Sequence, residues 1–304
     1  MSRMSRRDFL KLSGKLSVLM GLSATAVPQI AEALSQIASG NAPLLWLQGQ
    51  SCSGCSVSLL NSEAPTAAEL LTRYVSLRFH GTLSAATGHV AMDTIHKTME
   101  AGGYLLAVEG AIPAGMPEAC QIGHEKVSEQ VAKAARNATA VVAVGSCATS
   151  GGIPGAEGNP TGAVSVPQFL KDQGIATPVI SVPGCPIHPD WLVGTLAHVL
   201  KFGLPELDDH GRPKAFFSRL IHEQCPRFAD YEREKFAKTF GDEGCLFKLG
   251  CTGPNTHADC TIRLWNNGVN SCIHAGAPCI GCAGDEFAAK RSFAFYRKGD
   301  SSNS

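Results

Sequence analysis

At 304 residues, 44% hydrophobic and only 17% charged, the chain is long enough to bury a sizeable core and falls in the range of two domains or one large one. Its 26 basic and 26 acidic residues cancel, which excludes the basic footprint of a nucleic-acid binder and a polybasic membrane patch. The excess lies in cysteine: there are 12, in a chain too long to need the disulfide framework that holds small secreted folds together.

The first segment reads MSRMSRRDFLKLSGKLSVLMGLSATAVPQIAEALS. A basic start, Arg6-Arg7 followed by Asp8, Phe9, Leu10 and Lys11, an apolar stretch from Leu16 to Val27, and Ala31-Glu32-Ala33 together make a twin-arginine export signal cleaved after Ala33. The alternative is a basic amphipathic surface helix. The apolar stretch is too short for a stable span, which takes about 20 residues. Residues 1–33 are thus a signal peptide outside the fold, and the mature chain is expected in the periplasm. That route carries folded proteins, often with cofactors inserted, which argues against a simple disulfide protein.

Five short apolar runs follow: PLLWLQ (43–48), YVSLRF (74–79), GYLLAVEG (103–110), TAVVAVG (139–145) and TPVISVPG (177–184). Runs this short and this apolar suit strands buried on both faces. Between them, Ala85 to Ala101, His124 to Arg136 and Trp191 to Phe202 have helical length and spacing. Residues 34–206 therefore read as an α/β domain, a doubly wound parallel sheet of flavodoxin-like order. From about Leu207 the texture changes: LDDHGRP is a turn-rich linker, and residues 207–304 are short, Gly- and Cys-rich segments with one helical stretch near Asp230 to Phe240. A segment so poor in regular structure is expected to be fixed by bound metal rather than by a large apolar core of its own. The chain shows no C-terminal membrane helix and stops at FYRKGDSSNS.

In open α/β sheets, ligands bind beyond the carboxyl ends of the strands. Cys52 and Cys55 follow the first run, Cys147 follows VVAVGS, and Cys185 follows VISVPG. Three strands thus deliver four thiols to one edge. Alone, the C-x-x-C pair fits a redox disulfide, half a zinc site or part of an iron-sulfur cage. Four thiolates at a switch point suit a 4Fe-4S cube, and zinc would accept the same ligands, although structural zinc more often takes paired knuckles. Further on come His222 and Cys225 in HEQCPR, Cys245, Cys251, then Cys260, Cys272, Cys279 and Cys282. Their order suggests one cage from His222, Cys225, Cys245 and Cys251 and a second from the last four. Imidazole ligates iron and leaves a cluster less negative. Cys120, left over, reads as a buried inert thiol.

In these motifs the chain resembles the small subunits of the nickel-iron hydrogenases: the twin-arginine signal, CSGCSVSLL, VEGAIP, VAVGSCAT, NPTGA, PGCPIHPDW, HEQCPR, LGCTGP and APCIGC occur in the family's order. RLWNNG and HPDW bring it closest to the selenium-containing branch. The resemblance implies an electron-transfer subunit with three clusters. A proximal 4Fe-4S cluster would lie on Cys52, Cys55, Cys147 and Cys185, a distal 4Fe-4S cluster on His222, Cys225, Cys245 and Cys251, and a medial cluster on Cys260, Cys279 and Cys282. Many relatives have Pro where this chain has Cys272, so a fourth thiolate predicts a medial 4Fe-4S cluster; without it the cluster would be 3Fe-4S. The dihydrogen-splitting nickel-iron centre would lie in a partner large subunit, and electrons would pass to an external carrier such as a multihaem cytochrome c. The resemblance places Gly54 and Gly152 where oxygen-tolerant members carry two extra cysteines, so a standard proximal cluster is expected. Glu109 is expected either beside that cluster or as a capping carboxylate. The competing expectations are a zinc-folded structural protein and the iron-sulfur subunit of a quinone- or formate-linked complex; relatives of the latter kind generally lack a Cys-rich C-terminal part.

Overall fold

The computed structural model describes residues 42–288; the segment 1–33 expected to be an export signal and the tail at 289–304 lie outside the described residues. At the centre is a five-stranded sheet of β1 (Ala42–Gln48), β2 (Val75–Phe79), β3 (Tyr104–Glu109), β4 (Ala138–Val144) and β5 (Val179–Val182). All neighbours are parallel and the order is β2-β1-β3-β4-β5, the flavodoxin-like order read from the sequence.

The five apolar runs become these strands because both faces of the sheet are covered. Along β3, Leu105 and Ala107 enter one core while Leu106 and Val108 enter the other. An alternating polar pattern would have left polar side chains in one layer. The helices are α1 (Gly54–Leu60), α2 (Gly88–Ala101), α3 (Val127–Asn137), α4 (Gly145–Ser150), α5 (Val166–Asp172) and α6 (Pro189–Phe202). α2 and α3 bury Ile95, Met99, Val131 and Ala135 on one face; α6 buries Trp191, Leu192 and Leu196 on the other. α6 begins with Pro189 and Asp190 in its first turn, its first amides capped by His188 Nδ1, which accepts from Asp190 N at 3.2 Å, and it stops at Gly203 with φ +78°. α1 and α4 had no legible helical period, being under two turns long.

After α6, no strand of the described residues joins the sheet. The chain proceeds by single turns, including Lys214–Phe217, His222–Gln224, Phe247–Leu249 and Cys260–Arg263. The helical stretch expected near Asp230 to Phe240 shrinks to Phe228–Glu232. Glu234 takes a left-handed φ of +55°, which ends the helix, and the next residues pair with the Cys245 segment instead, Cys245 N donating to Lys235 O at 2.8 Å and Ala237 N to Cys245 O at 3.0 Å.

The apolar core runs across residue 206 without a break. Phe216, Phe217, Ile221, Leu246 and Ile273 share one core with Trp191 and Val182. Trp191 packs edge-on against Phe217 at 4.9 Å between ring centroids, and its Nε1 donates to Asp259 Oδ1 at 2.7 Å. His188 Nε2 bonds the Leu264 carbonyl at 2.8 Å; since Nδ1 accepts, Nε2 carries the proton. The later segments therefore rest on a face of the sheet through α6. Among the described residues no helix is long and apolar enough to cross a membrane.

Phe217→Ala removes the ring that joins α6 to the later segments. It should cost about 3–5 kcal/mol of stability, read as a lower denaturant midpoint of the intact protein, with sheet and C-terminal probes moving together.

Candidate functional site

At the carboxyl edge of the sheet, Gln48, Glu109, Val144 and Val182 are register neighbours across β1, β3, β4 and β5. The chain leaves this row into the segments that carry Cys52 and, in α1, Cys55, into α4 with Cys147, and into the loop with Cys185. These four thiols lie within electrostatic reach of one another: Cys55 is raised by burial first and then by Glu109, Cys147 and Cys185, Cys147 is pushed up to about 11 by burial with help from Cys185 and Cys52, and Cys185 is raised by burial and Cys52.

A second group, Cys260, Cys272, Cys279 and Cys282, lines a cavity of about 1140 Å³ shared with Cys185, His188 and Trp191. Burial raises Cys260 most, with Cys282, Cys279 and Cys272 adding. The third group, His222, Cys225, Cys245 and Cys251, lines a small separate cavity with Arg227 and Phe247. The His222 ring packs edge-on beside both Phe228 and Tyr231, at 5.0 and 4.7 Å between centroids.

The order of these groups in space differs from their order along the chain. Cys282, pushed up to about 12 by burial, also feels Cys279, Cys272 and Cys185, and the backbone N–H of Cys185 stabilises its thiolate. Cys272 and Cys279 feel Cys251. The group nearest the chain's end is therefore the middle of three. Cys120 stands apart, its Sγ 3.9 Å from the Gln48 carbonyl and packed on the other core.

All twelve cysteines are free thiols. Burial raises Cys55, Cys147 and Cys185 in the first group, Cys260, Cys272, Cys279 and Cys282 in the second, and Cys225 and Cys245 in the third, the reverse of the lowered pKa that activates a redox dithiol; bound metal would displace the protons and compensate the crowded negative charge. A single zinc ion draws its thiolates to one point about 2.3 Å away, whereas an iron-sulfur cube takes one thiolate at each of its separated irons. A wider object fits better. Gly145 has φ +83° and lies so close under Cys55 that any side chain would strike its Sγ; at Gly152, with φ +50°, a Cβ would fall 3.0 Å from Cys147 Sγ and 2.8 Å from its backbone. A Cβ at Gly54 would lie 3.1 Å from Cys52 Sγ. Space in front of the first thiols is thus kept clear. In the large cavity, the buried Thr261 hydroxyl next to Cys260 has no partner among the described residues, as expected of a donor whose acceptor is a bound group. The residues fit iron-sulfur clusters.

Glu109 is both a neighbour of the first cage and a cap. Its carboxylate, 1% exposed, accepts from the backbone N–H of Cys55 at 3.1 Å and Ser56 at 3.2 Å, from Gln48 Nε2 at 3.0 Å, from Trp46 Nε1 at 3.1 Å and from Ser56 Oγ. It supplies the N-terminal cap that α1 lacks of its own and so fixes Cys55. Behind it, His80 Nε2 lies 3.1 Å from Ser56 Oγ while its Nδ1 accepts from Thr82 N at 3.0 Å, which puts the imidazole proton on Nε2 and directs the chain His80 to Ser56 to Glu109. Sequence reading missed Ser56 and His80. The available signal was position, since His80 directly follows β2 at the same sheet edge.

Residues 52–199 match the family described as NADH ubiquinone oxidoreductase, 20 Kd subunit, and residues 217–295 match the family of the C-terminal region of the NiFe/NiFeSe hydrogenase small subunit. The periplasmic [NiFeSe] hydrogenase small subunit of Desulfomicrobium baculatum is 44% identical over 95% of this chain and 98% of its own length, and the hydrogenase-2 small chain of Escherichia coli is 40% identical over 91% of this chain and 76% of its own. Among solved structures, the reduced, active Ni-Fe-Se hydrogenase of Desulfomicrobium baculatum superposes with a TM-score of 0.78 at 46% identity, covering 81% of this chain and 96% of that one. The recombinant [NiFeSe] hydrogenase of Desulfovibrio vulgaris Hildenborough gives 0.78 at 44%, covering 83% and 96%.

Burial holds the His80 pKa below its ordinary value of about 6.5, against an opposing pull from Glu109. The folded chain keeps the ring neutral while the unfolded chain takes up a proton, so this contribution is whole above about pH 6.5 and is lost as pH falls toward the folded value. His80→Gln should reduce the drop in thermal midpoint between about pH 7.5 and about pH 5.5, measured by scanning calorimetry against the parent.

Proposed function

The chain belongs to the small subunits of the nickel-iron hydrogenases, and we propose that it is the electron-transfer subunit of a periplasmic enzyme of this kind, exported with its large subunit by the Arg6-Arg7 signal. The large subunit would carry the nickel-iron centre at which dihydrogen becomes two protons and two electrons, or the reverse. The observation that carries this reading is the placing of eleven cysteines and His222 in three adjoining groups, the middle one in electrostatic contact with both others. The match of residues 217–295 to the hydrogenase C-terminal family favours it over a quinone- or formate-linked complex.

Iron-sulfur clusters bound in the three groups would supply one-electron carriers whose potentials the protein sets through ligand type, hydrogen bonds and burial. Cys52, Cys55, Cys147 and Cys185 would hold the proximal one, with Glu109 fixing the helix that bears Cys55. Cys260, Cys272, Cys279 and Cys282 would hold the medial one, buried between α6 and the Leu264 loop. His222, Cys225, Cys245 and Cys251 would hold the distal one, where an imidazole in place of a fourth thiolate would leave the cluster less negative beside the aromatic side chains of Phe228, Tyr231 and Phe247. In this reading residues 34–206 form the proximal domain and 207–304 the domain of the other two. The external carrier, a multihaem cytochrome c, would dock near His222. Iron and acid-labile sulfide analysis of the purified heterodimer tests the whole reading; zinc without sulfide would overturn it.

His222→Gly should slow electron delivery to the external carrier while leaving isotope exchange between dihydrogen and deuterated water, which needs no long-range transfer, close to the parent rate. Equal loss of both in an assembled variant would remove His222 from the terminal position.

Cys272 lines the cavity with the other three medial thiols, so the anaerobically prepared parent should show no stoichiometric 3Fe-4S signal in paramagnetic resonance, and Cys272→Pro should produce one.

A further inference from the structure

Two hydroxyl groups occupy equivalent positions on either side of the middle cage. Ser146 precedes the proximal thiol Cys147 and is 1% exposed. Its Oγ accepts from the backbone N–H of Gly184, the residue before Cys185, at 2.9 Å and donates to the carbonyl of Cys282, while its own N–H donates to Gly184 O at 3.0 Å. One side chain thus ties the Cys147 segment, the Cys185 segment and the middle cage. On the far side, Thr252 follows the distal thiol Cys251. Its Oγ1 donates to the Cys279 carbonyl at 2.9 Å and lies 3.8 Å from Cys279 Sγ, and its N–H donates to the same carbonyl at 2.8 Å.

We propose that Ser146 and Thr252 are positioning residues that clamp the Cys279–Cys282 loop of the middle cage to the two outer cages and so fix the spacing between successive carriers. The inference rests on the relay reading above. The Cys-Ile-Gly-Cys loop has no regular structure of its own, and Gly281 within it takes φ +74° with no room for a Cβ, which would fall 2.8 Å from Thr252 Oγ1. Both ends of the loop are therefore held from outside, each by a residue adjacent in sequence to a thiol of the neighbouring cage. Electron transfer between fixed carriers depends steeply on their separation, so a loop free to shift would make each passage slower and less uniform.

The test uses the heterodimer with Ser146→Ala and Thr252→Val, together with the hydroxyl-retaining Ser146→Thr and Thr252→Ser. In the first pair, amide hydrogen exchange should rise about fivefold, at Gly184 in Ser146→Ala and across 280–283 in both, the change expected from losing one net hydrogen bond. Dihydrogen-driven reduction of the external carrier should fall by roughly tenfold, as for a preorganised contact loosened by less than an ångström, with isotope exchange and iron content unchanged. The second pair should restore parental exchange protection and delivery. Unchanged protection and delivery in the first pair would overturn the proposal. If iron content falls in the first pair, the second pair decides: recovery of iron and delivery supports the clamp, and failure to recover either overturns it. Absence of iron and sulfide from the parent protein would instead refute the relay reading, and is measured separately.

Discussion

The parallel register of β1, β3, β4 and β5 is the constraint on which the rest depends. It sets Gln48, Glu109, Val144 and Val182 side by side at one edge, and whatever follows these residues in sequence must begin from that row. Four thiols reach one place because three of the four strands lead directly into cysteine-bearing loops or short helices. The remaining strand contributes a carboxylate, and Glu109 is saturated with donors from one neighbouring strand, β1, and one helix, α1. A buried carboxylate is costly unless it is hydrogen-bonded; here that requirement makes the position of α1, and with it Cys55, follow from the sheet.

The second constraint is that the later segments own no separate core. They have few regular hydrogen bonds and place Phe216, Phe217 and Ile273 against α6. Polar ties through His188, Trp191 and Arg212 then fix the loops containing Leu264, Asp259 and Ala283. Each of these anchors is a short distance in sequence from a medial thiol. The chain therefore places its last cysteines between its first and its intermediate ones, a geometry that cannot be inferred from spacing along the sequence.

The sheet was legible because each strand is a short apolar run between breakers, and burial on both faces permits no polar interruption. The order of the strands was likewise accessible from the alternation of strand and helix. α1 and α4 were not, because one or two turns carry no measurable period; the helix near Asp230 was overextended because the left-handed turn at Glu234 is a property of tertiary pairing with the Cys245 segment. The cysteines announced themselves by residue type and by following strands. Ser56, His80, Ser146 and Thr252 did not, because a hydroxyl or an imidazole in a loop acquires its meaning only from the partner that the fold brings to it.

The large cavity has a consequence for the life of the chain before assembly. Val57, which lines it, is 58% exposed, and Leu60, Ile262 and Val269 are 48%, 62% and 73% exposed nearby in sequence to other lining residues. A newly made copy standing alone presents this apolar surface to solvent. Such a copy is a substrate for aggregation, chaperone holding or proteolysis. The lifetime of such a copy is then set by how soon these side chains are covered, so that the surface ties the persistence of the chain to the speed of its burial.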